Sequence, residues 1–309
     1  MTERFPVEAS SALFEGLDEV HVVFHGINKS GSLAMANVLR ESLIAAGRED
    51  DVLSHYHFPG VMPLEQYRAM IEAKHGRFFA VAHYLYGFLR PAPRRIWITQ
   101  FRHPLPRLVS AYTWLKNKHI QRNRTAEGFP KLTEYIRNGR GITHSQIVQF
   151  GRGYGRFKDS PARKRLPPSV LYELSVEAIE REFTAVGIAE KFEESIFCFA
   201  ALLGVPSVAP WVTDNRNEGR RPVEELSQNQ RDLIREVYHW DFELYDWALR
   251  KFDEQNSRIK FGPSLDAYKA ACSGQYKDRL VGSSADEAVQ RWLERSPNVL
   301  QDRSNASAA

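Results

Sequence analysis

Apolar residues along this chain gather in short runs bounded by glycine, proline and charge, and between the runs they recur at helical spacing. The first clear unit is residues 20–47. Val20-His21-Val22-Val23-Phe24 reads as a buried strand, and Gly26 to Leu33 as a tight Gly/Ser loop carrying Lys29. In the helix that follows, Met35, Val38, Leu39, Leu43 and Ala46 share one face, and Gly47 falls where a left-handed C-terminal cap belongs. Residues 51–57, with Val52, Ser54 and Tyr56 alternating, predict a short strand. Residues 63–75 predict a helix opened by proline and closed by Gly76, with Leu64, Tyr67 and Ile71 on one side. Residues 77–83 and 95–101 are near-continuous apolar strands. Such alternation predicts an α/β fold, a parallel sheet with helices on both faces. Ligands of such sheets gather beyond the carboxyl ends of the strands. His25, His57, His83 and Arg102 all fall at or just past those ends.

Further on, residues 119–150 read as short helices with loops, and residues 151–168 as a basic Gly/Pro-rich loop, either a surface excursion or a lid. Residues 170–173 predict a strand, 176–183 a helix, and 183–204 a short strand followed by an apolar helix. Residues 215–221 form a polar loop before one long amphipathic helix, 223–252. Its core candidates are Leu226, Ile234, Val237, Trp240, Leu244 and Trp247. Beyond Phe252 the chain is polar, with a helix-like stretch at 285–295. The expected organisation is therefore one domain over 1–255 and an extension over 256–309, partly helical or disordered.

A chain of 309 residues can bury a core without staples. Its two cysteines, Cys198 and Cys272, form neither a disulfide framework nor a metal cluster, so a reducing cytoplasm is the expected compartment and no metal is expected. No apolar run approaches the ~20 residues of a membrane helix. The net charge of +4 conceals an asymmetry: between Arg94 and Pro168 there are 17 Lys/Arg and 3 Asp/Glu. A one-sided field of that kind attracts a nucleotide, an acidic glycan or another polyanion.

The chemistry concentrates in two segments. A strand–loop–helix unit aims backbone N–H groups and the positive end of a helix at one spot, which suits phosphate or sulfate. In a nucleoside-triphosphate loop the lysine directly follows the second glycine, with a magnesium-holding Ser or Thr after it. Here Gly26 and Gly31 have that separation, but Ser32 stands at the lysine position and Lys29 lies inside the loop. The second segment is Arg102-His103-Pro104-Leu105-Pro106-Arg107-Leu108-Val109-Ser110-Ala111-Tyr112. A strand delivers Arg102, a proline turn opens a helix, and Ser110 follows eight residues after the arginine. Arginine grips a phosphate at two points, and the serine hydroxyl can donate to the same group.

Asn28-Lys29-Ser30-Gly31-Ser32-Leu33 resembles the 5′-phosphosulfate loop of sulfotransferases that use 3′-phosphoadenosine 5′-phosphosulfate (PAPS). The Arg102–Ser110 segment resembles their 3′-phosphate signature. Residues 183–195 resemble a downstream segment of the carbohydrate-type, family 2-like branch. The likeness spans roughly residues 20–252. Asn28 replaces the usual proline, and Leu33 replaces a hydroxyl residue, which leaves more of the holding to main-chain N–H groups. The resemblance implies a P-loop-type sulfotransferase fold with PAPS as donor, bound by residues 28–33, Arg102 and Ser110, with Tyr172 flanking the adenine. It implies in-line transfer to a hydroxyl on a glycan, a glycolipid or a small alcohol, with Lys29 stabilising the leaving phosphate. His83 is the candidate base, and His57, His55, Glu65 and Glu72 are alternatives. Neither a nucleic-acid partner nor a membrane span is implied. Two rival readings remain at this stage: a P-loop kinase-like phosphotransferase and a non-catalytic polyanion-binding module.

Overall fold

A computed structural model of the chain describes residues 4–10, 21–52, 64–73, 78–83, 86, 89, 95–138, 145–151, 166–210 and 223–275. In chain order the first elements are β1 (Phe5–Pro6), β2 (Ala9–Ser10), β3 (His21–Gly26), α1 (Ser32–Ala45), α2 (Leu64–Ala73), β4 (Phe78–His83) and β5 (Arg95–Phe101). Then come α3 (Pro104–Asn123), α4 (Leu132–Arg137), α5 (Gln146–Gly151), α6 (Pro168–Glu182), β6 (Phe183–Ile188) and α7 (Phe192–Leu202). The last are β7 (Ser207–Val208), α8 (Gln228–Val237), α9 (His239–Ser257), β8 (Lys260–Phe261) and α10 (Ser264–Gln275). No described helix is long and apolar enough to cross a membrane.

The expected parallel α/β sheet is present. Its four strands lie in the order β4-β3-β5-β6, all parallel. Strand alternation divides the buried residues between two faces. Val22, Phe24, Phe79, Val81 and Ile98 meet α1, α7 and α10 on one face. Val23, Phe78, Ala80, Trp97 and Phe101 meet α2, α5, α6 and α9 on the other. A register shift between Trp97 and Ile98 opposes Trp97 to Phe183 and Ile98 to Ala185. The extra residue, Thr184, lets Phe183 face the second layer while Ala185 faces the first. A third cluster joins α3, α4 and α8 through Leu108, Val109, Tyr135, Ile136 and Ile234.

Several expectations need correction. Residues 170–173 are not a strand but part of α6. Pro168 opens that helix, and Leu171, Ser175, Ala178 and Ile179 form one buried stripe along it. The single helix over 223–252 is a 3-10 turn and two helices, α8 and α9, broken at Tyr238. The break serves two cores, since Ile234 belongs to the α3–α4 cluster and Leu244 and Phe252 to the sheet. Residues 51–57 give a 3-10 turn ending at Asp51 and one parallel bridge from Val52 to Phe79, the remainder lying outside the described residues. The chain beyond Phe252 is not uniformly polar: α9 runs on to Ser257, and Ile259, Leu265, Tyr268 and Cys272 are buried in the first-face core. The stretches 152–165, 215–221 and 285–295 lie outside the described residues.

Gly47 has φ +70° and caps α1 as expected, its N–H donating to the Ile44 carbonyl while Arg48 N–H returns to Leu43. Cys198 is fully buried in α7, and burial pushes its thiol up to about 12. The most consequential polar contact is also buried. Arg107 of α3 donates to Asp241 of α9 at 2.9 Å, both side chains 1% exposed, and the other carboxylate oxygen accepts from Ile147 N–H of α5. Burial pushes the Asp241 carboxyl upward, opposed by Arg107 and by the backbone donors Ile147 and Gln146. Removing one partner strands the other charge without solvent. Asp241→Ala is therefore expected to lose about 3–5 kcal/mol of unfolding free energy, measured by urea denaturation, with α3 loosened from α5 and α9.

Candidate functional site

The loop after β3 is built from its own carbonyls. Ile27 O accepts from Ser30 N–H at 3.3 Å, from the Ser30 hydroxyl at 2.8 Å and from the Ser32 hydroxyl at 3.1 Å. Both serines are buried, so their hydroxyl protons are committed inward rather than offered to a ligand. Lys29 has φ +64° and Gly31 φ +81°, which turns the chain tightly into α1. Glycine suits the second position because it enters the left-handed region without strain. Gln100 at the end of β5 donates to the Ser30 carbonyl at 3.0 Å, which in a trans peptide aims the Gly31 N–H the opposite way. The first turn of α1 contains no acidic residue and no side-chain cap, so its positive end is available to an anion.

The second segment meets this loop directly. Arg102, immediately after β5, donates from its guanidinium to the Lys29 carbonyl at 3.0 Å. Adjacent parallel pairing of β3 and β5 makes that possible, because it brings the two strand ends to one level. Arg102 N–H is held by Gln146 at 3.1 Å, and Asn28 N–H by Gln149 at 3.3 Å. One short helix, α5, thus pins both segments. His103 caps α3, its Nδ1 accepting from Leu105 N–H at 3.3 Å, while its backbone N–H donates to Glu190. Glu190 also accepts from the Tyr245 hydroxyl at 3.0 Å. Ser110 is buried in the second turn of α3. One turn further, Trp114 lies under the Lys29 ammonium, 5.4 Å from Nζ to the ring centre.

Of the other expected residues, Leu33 is half-buried in the first turn of α1. His83 ends β4, paired in register with Gly26, so its backbone stands at the mouth of the loop. His55 and His57 lie outside the described residues. Glu65 and Glu72 are on α2, where Arg68 pairs with them at 3.3 and 3.7 Å. His25 faces inward, its ring packed edge-on to Tyr86, Phe150 and Phe183. Tyr172 sits in α6 with its ring against Trp240, 5.3 Å between centres, a helix-packing contact rather than the strand position expected for it.

Sequence reasoning missed Gln100, Gln146, Gln149, Glu190, Asp241 and Trp114. A Gln-x-x-Gln spacing inside an otherwise apolar turn is a signal that polar side chains are buried for a purpose. The second arginine of the motif, Arg107, faces Asp241 rather than a ligand.

A family model described as "Sulfotransferase family" matches residues 18–248. No curated protein matches the chain.

His103 gives this site a pH dependence. Burial lowers its pKa from the ordinary 6.5, with Glu190 and Asp246 pulling the other way and Arg235 adding to the fall. The neutral ring accepts the Leu105 N–H; the protonated ring cannot. Because the unfolded chain binds this proton more readily, stability is lost as pH falls below about 6.5 towards the lowered value. His103→Asn keeps a cap that does not titrate. Melting temperature between pH 5 and 8 should therefore fall more steeply in the wild type than in that variant.

Proposed function

From the premise that this chain belongs to the sulfotransferase family, in its family 2-like branch, we propose that it transfers the sulfuryl group of PAPS in line to a hydroxyl acceptor. The observation that supports this most is the Arg102–Lys29 contact, which makes the two nucleotide-reading segments one surface. PAPS carries a phosphosulfate at one end and a 3′-phosphate at the other. The residues fit both: a loop with its carbonyls tied back suits the first, and Arg102 with Ser110 on α3 suits the second.

The donor brings a sulfur–oxygen bond to phosphate, and the chain's residues handle charge and proton. Lys29 stabilises the bridging oxygen as that bond breaks and negative charge builds there. His83 takes the proton of the acceptor hydroxyl as its oxygen bonds to sulfur. Its position beside Gly26 favours it over Glu65 and Glu72, which Arg68 already engages. The backbone N–H groups of the loop and the start of α1 hold the phosphosulfate oxygens. The excess of Lys and Arg over residues 94–168 favours an anionic acceptor, and a glycan or glycolipid hydroxyl fits best.

Adenosine 3′,5′-bisphosphate should raise the melting temperature while ATP with magnesium does not. At a hundredfold excess over Kd the stabilisation is about 2.7 kcal/mol. The kinase reading requires the reverse preference. The polyanion-module reading requires salt-sensitive binding without nucleotide preference.

The substitutions separate the roles. Lys29→Ala and His83→Ala should each lower kcat by roughly 10²–10³ while the fold persists. Arg102→Ala should mainly weaken bisphosphate binding, by about tenfold or more. Calorimetric titration and sulfate-transfer rates measure both, and full activity in His83→Ala would reassign the base.

A further inference from the structure

Lysine is a flexible side chain with a strongly hydrated ammonium, and a loop alone holds its end poorly. In this protein the loop lysine has a partner from outside the loop. The ring of Trp114 lies 5.4 Å from Lys29 Nζ, and Lys118 Nζ lies 4.2 Å from the same ring centre. Both distances are within the range at which the negative face of an indole attracts a cation. Ser110, Trp114 and Lys118 are spaced i, i+4, i+8, so they form one stripe along α3. Ser110 is the residue assigned to the 3′-phosphate, so the helix that serves that end of the proposed nucleotide site also carries Trp114.

Lys29 is thereby held at both ends. Its carbonyl accepts from Arg102, its φ of +64° restricts how the side chain leaves the backbone, and its ammonium rests against Trp114. We propose that Trp114 is a positioning residue for Lys29, holding the ammonium by a cation–π contact in the place where it meets the bridging oxygen. The second ammonium, on Lys118, adds positive charge at the same ring. An indole serves here better than a phenyl ring because its face attracts cations more strongly. This inference rests on the sulfotransferase reading for its functional consequence, but not for the contact itself.

A double-mutant cycle tests the functional part. Trp114→Leu is expected to lower kcat about tenfold with the KM for PAPS changed less than about threefold, and Trp114→Phe to retain most of the rate. In a Lys29→Ala background, Trp114→Leu should cause no further loss, because the contact it removes is already gone. A merely structural Trp114 would lower the rate equally in both backgrounds, and that result would overturn the proposal. The contact is tested without turnover by amine acylation of the full chain, followed by peptide mapping. Lys29 should label faster in Trp114→Leu than in the wild type, with Trp114→Phe between them. Unchanged Lys29 labelling across the three proteins also overturns the proposal. If labelling responds as expected but the wild type binds no adenosine 3′,5′-bisphosphate, the positioning contact stands and the sulfotransferase reading falls.

Discussion

A carbonyl oxygen that accepts an arginine is where the loop after β3 and the segment after β5 meet. The guanidinium of Arg102 belongs to the end of β5, and the carbonyl of Lys29 belongs to the loop after β3. Neither could reach the other unless β3 and β5 were neighbours in parallel register, with His25 opposite Thr99. The surrounding glutamines act to the same end. Gln100, Gln146 and Gln149 each spend a buried side-chain amide on the backbone of one segment or the other. Each keeps a backbone group of the two segments paired, so a shift of either segment would leave that group without its partner.

Arg107 shows how one motif can carry two kinds of work. It lies in the same signature as Arg102 and in the same helix as Ser110, yet it is sealed against Asp241. Ion pairs in such surroundings are weak contributors to net stability when compared with apolar packing of the same volume. This one touches three helices, because the Asp241 carboxylate also binds the start of α5. α5 is the helix that carries Gln146 and Gln149. The buried pair thus sets the height at which those glutamines present themselves to the loop.

Much of this arrangement was legible in the order of residues, and the exceptions have physical causes. The β3 loop, the Arg102–Ser110 spacing, the strands at 78–83 and 95–101 and the left-handed cap at Gly47 are local features, written in the period of the apolar residues and in glycine's freedom. Residues 170–173 misled because Val170, Leu171 and Tyr172 suit a strand locally, while the decision to be helical came from the buried stripe through Ile179. The break at Tyr238 was invisible because an amphipathic pattern says that a helix buries one face, not against which neighbour. α10 was missed because three of its six apolar residues are alanines, and only packing on α7 and β1 gives Leu265 and Tyr268 their place. The loop serines carried the opposite lesson. Their hydroxyls look available in a motif, but the nearest acceptor is the loop's own Ile27 carbonyl.

The short strands at the periphery have a consequence of their own. β1 pairs with β7 and β2 with β8, and Glu8 receives both Gly262 N–H and the Ser264 hydroxyl. A residue near the beginning of the chain is therefore stitched to one 256 positions later. Closing so long a span costs chain entropy before any contact returns it, and such topologies fold slowly. During synthesis Phe5 of β1 and Phe197 of α7 must wait, still wetted, until Tyr268 of α10 emerges to pack against them. A ribosome-bound intermediate would thus hold α7 against the sheet with its outer side bare, the state in which a chaperone finds the most to grip.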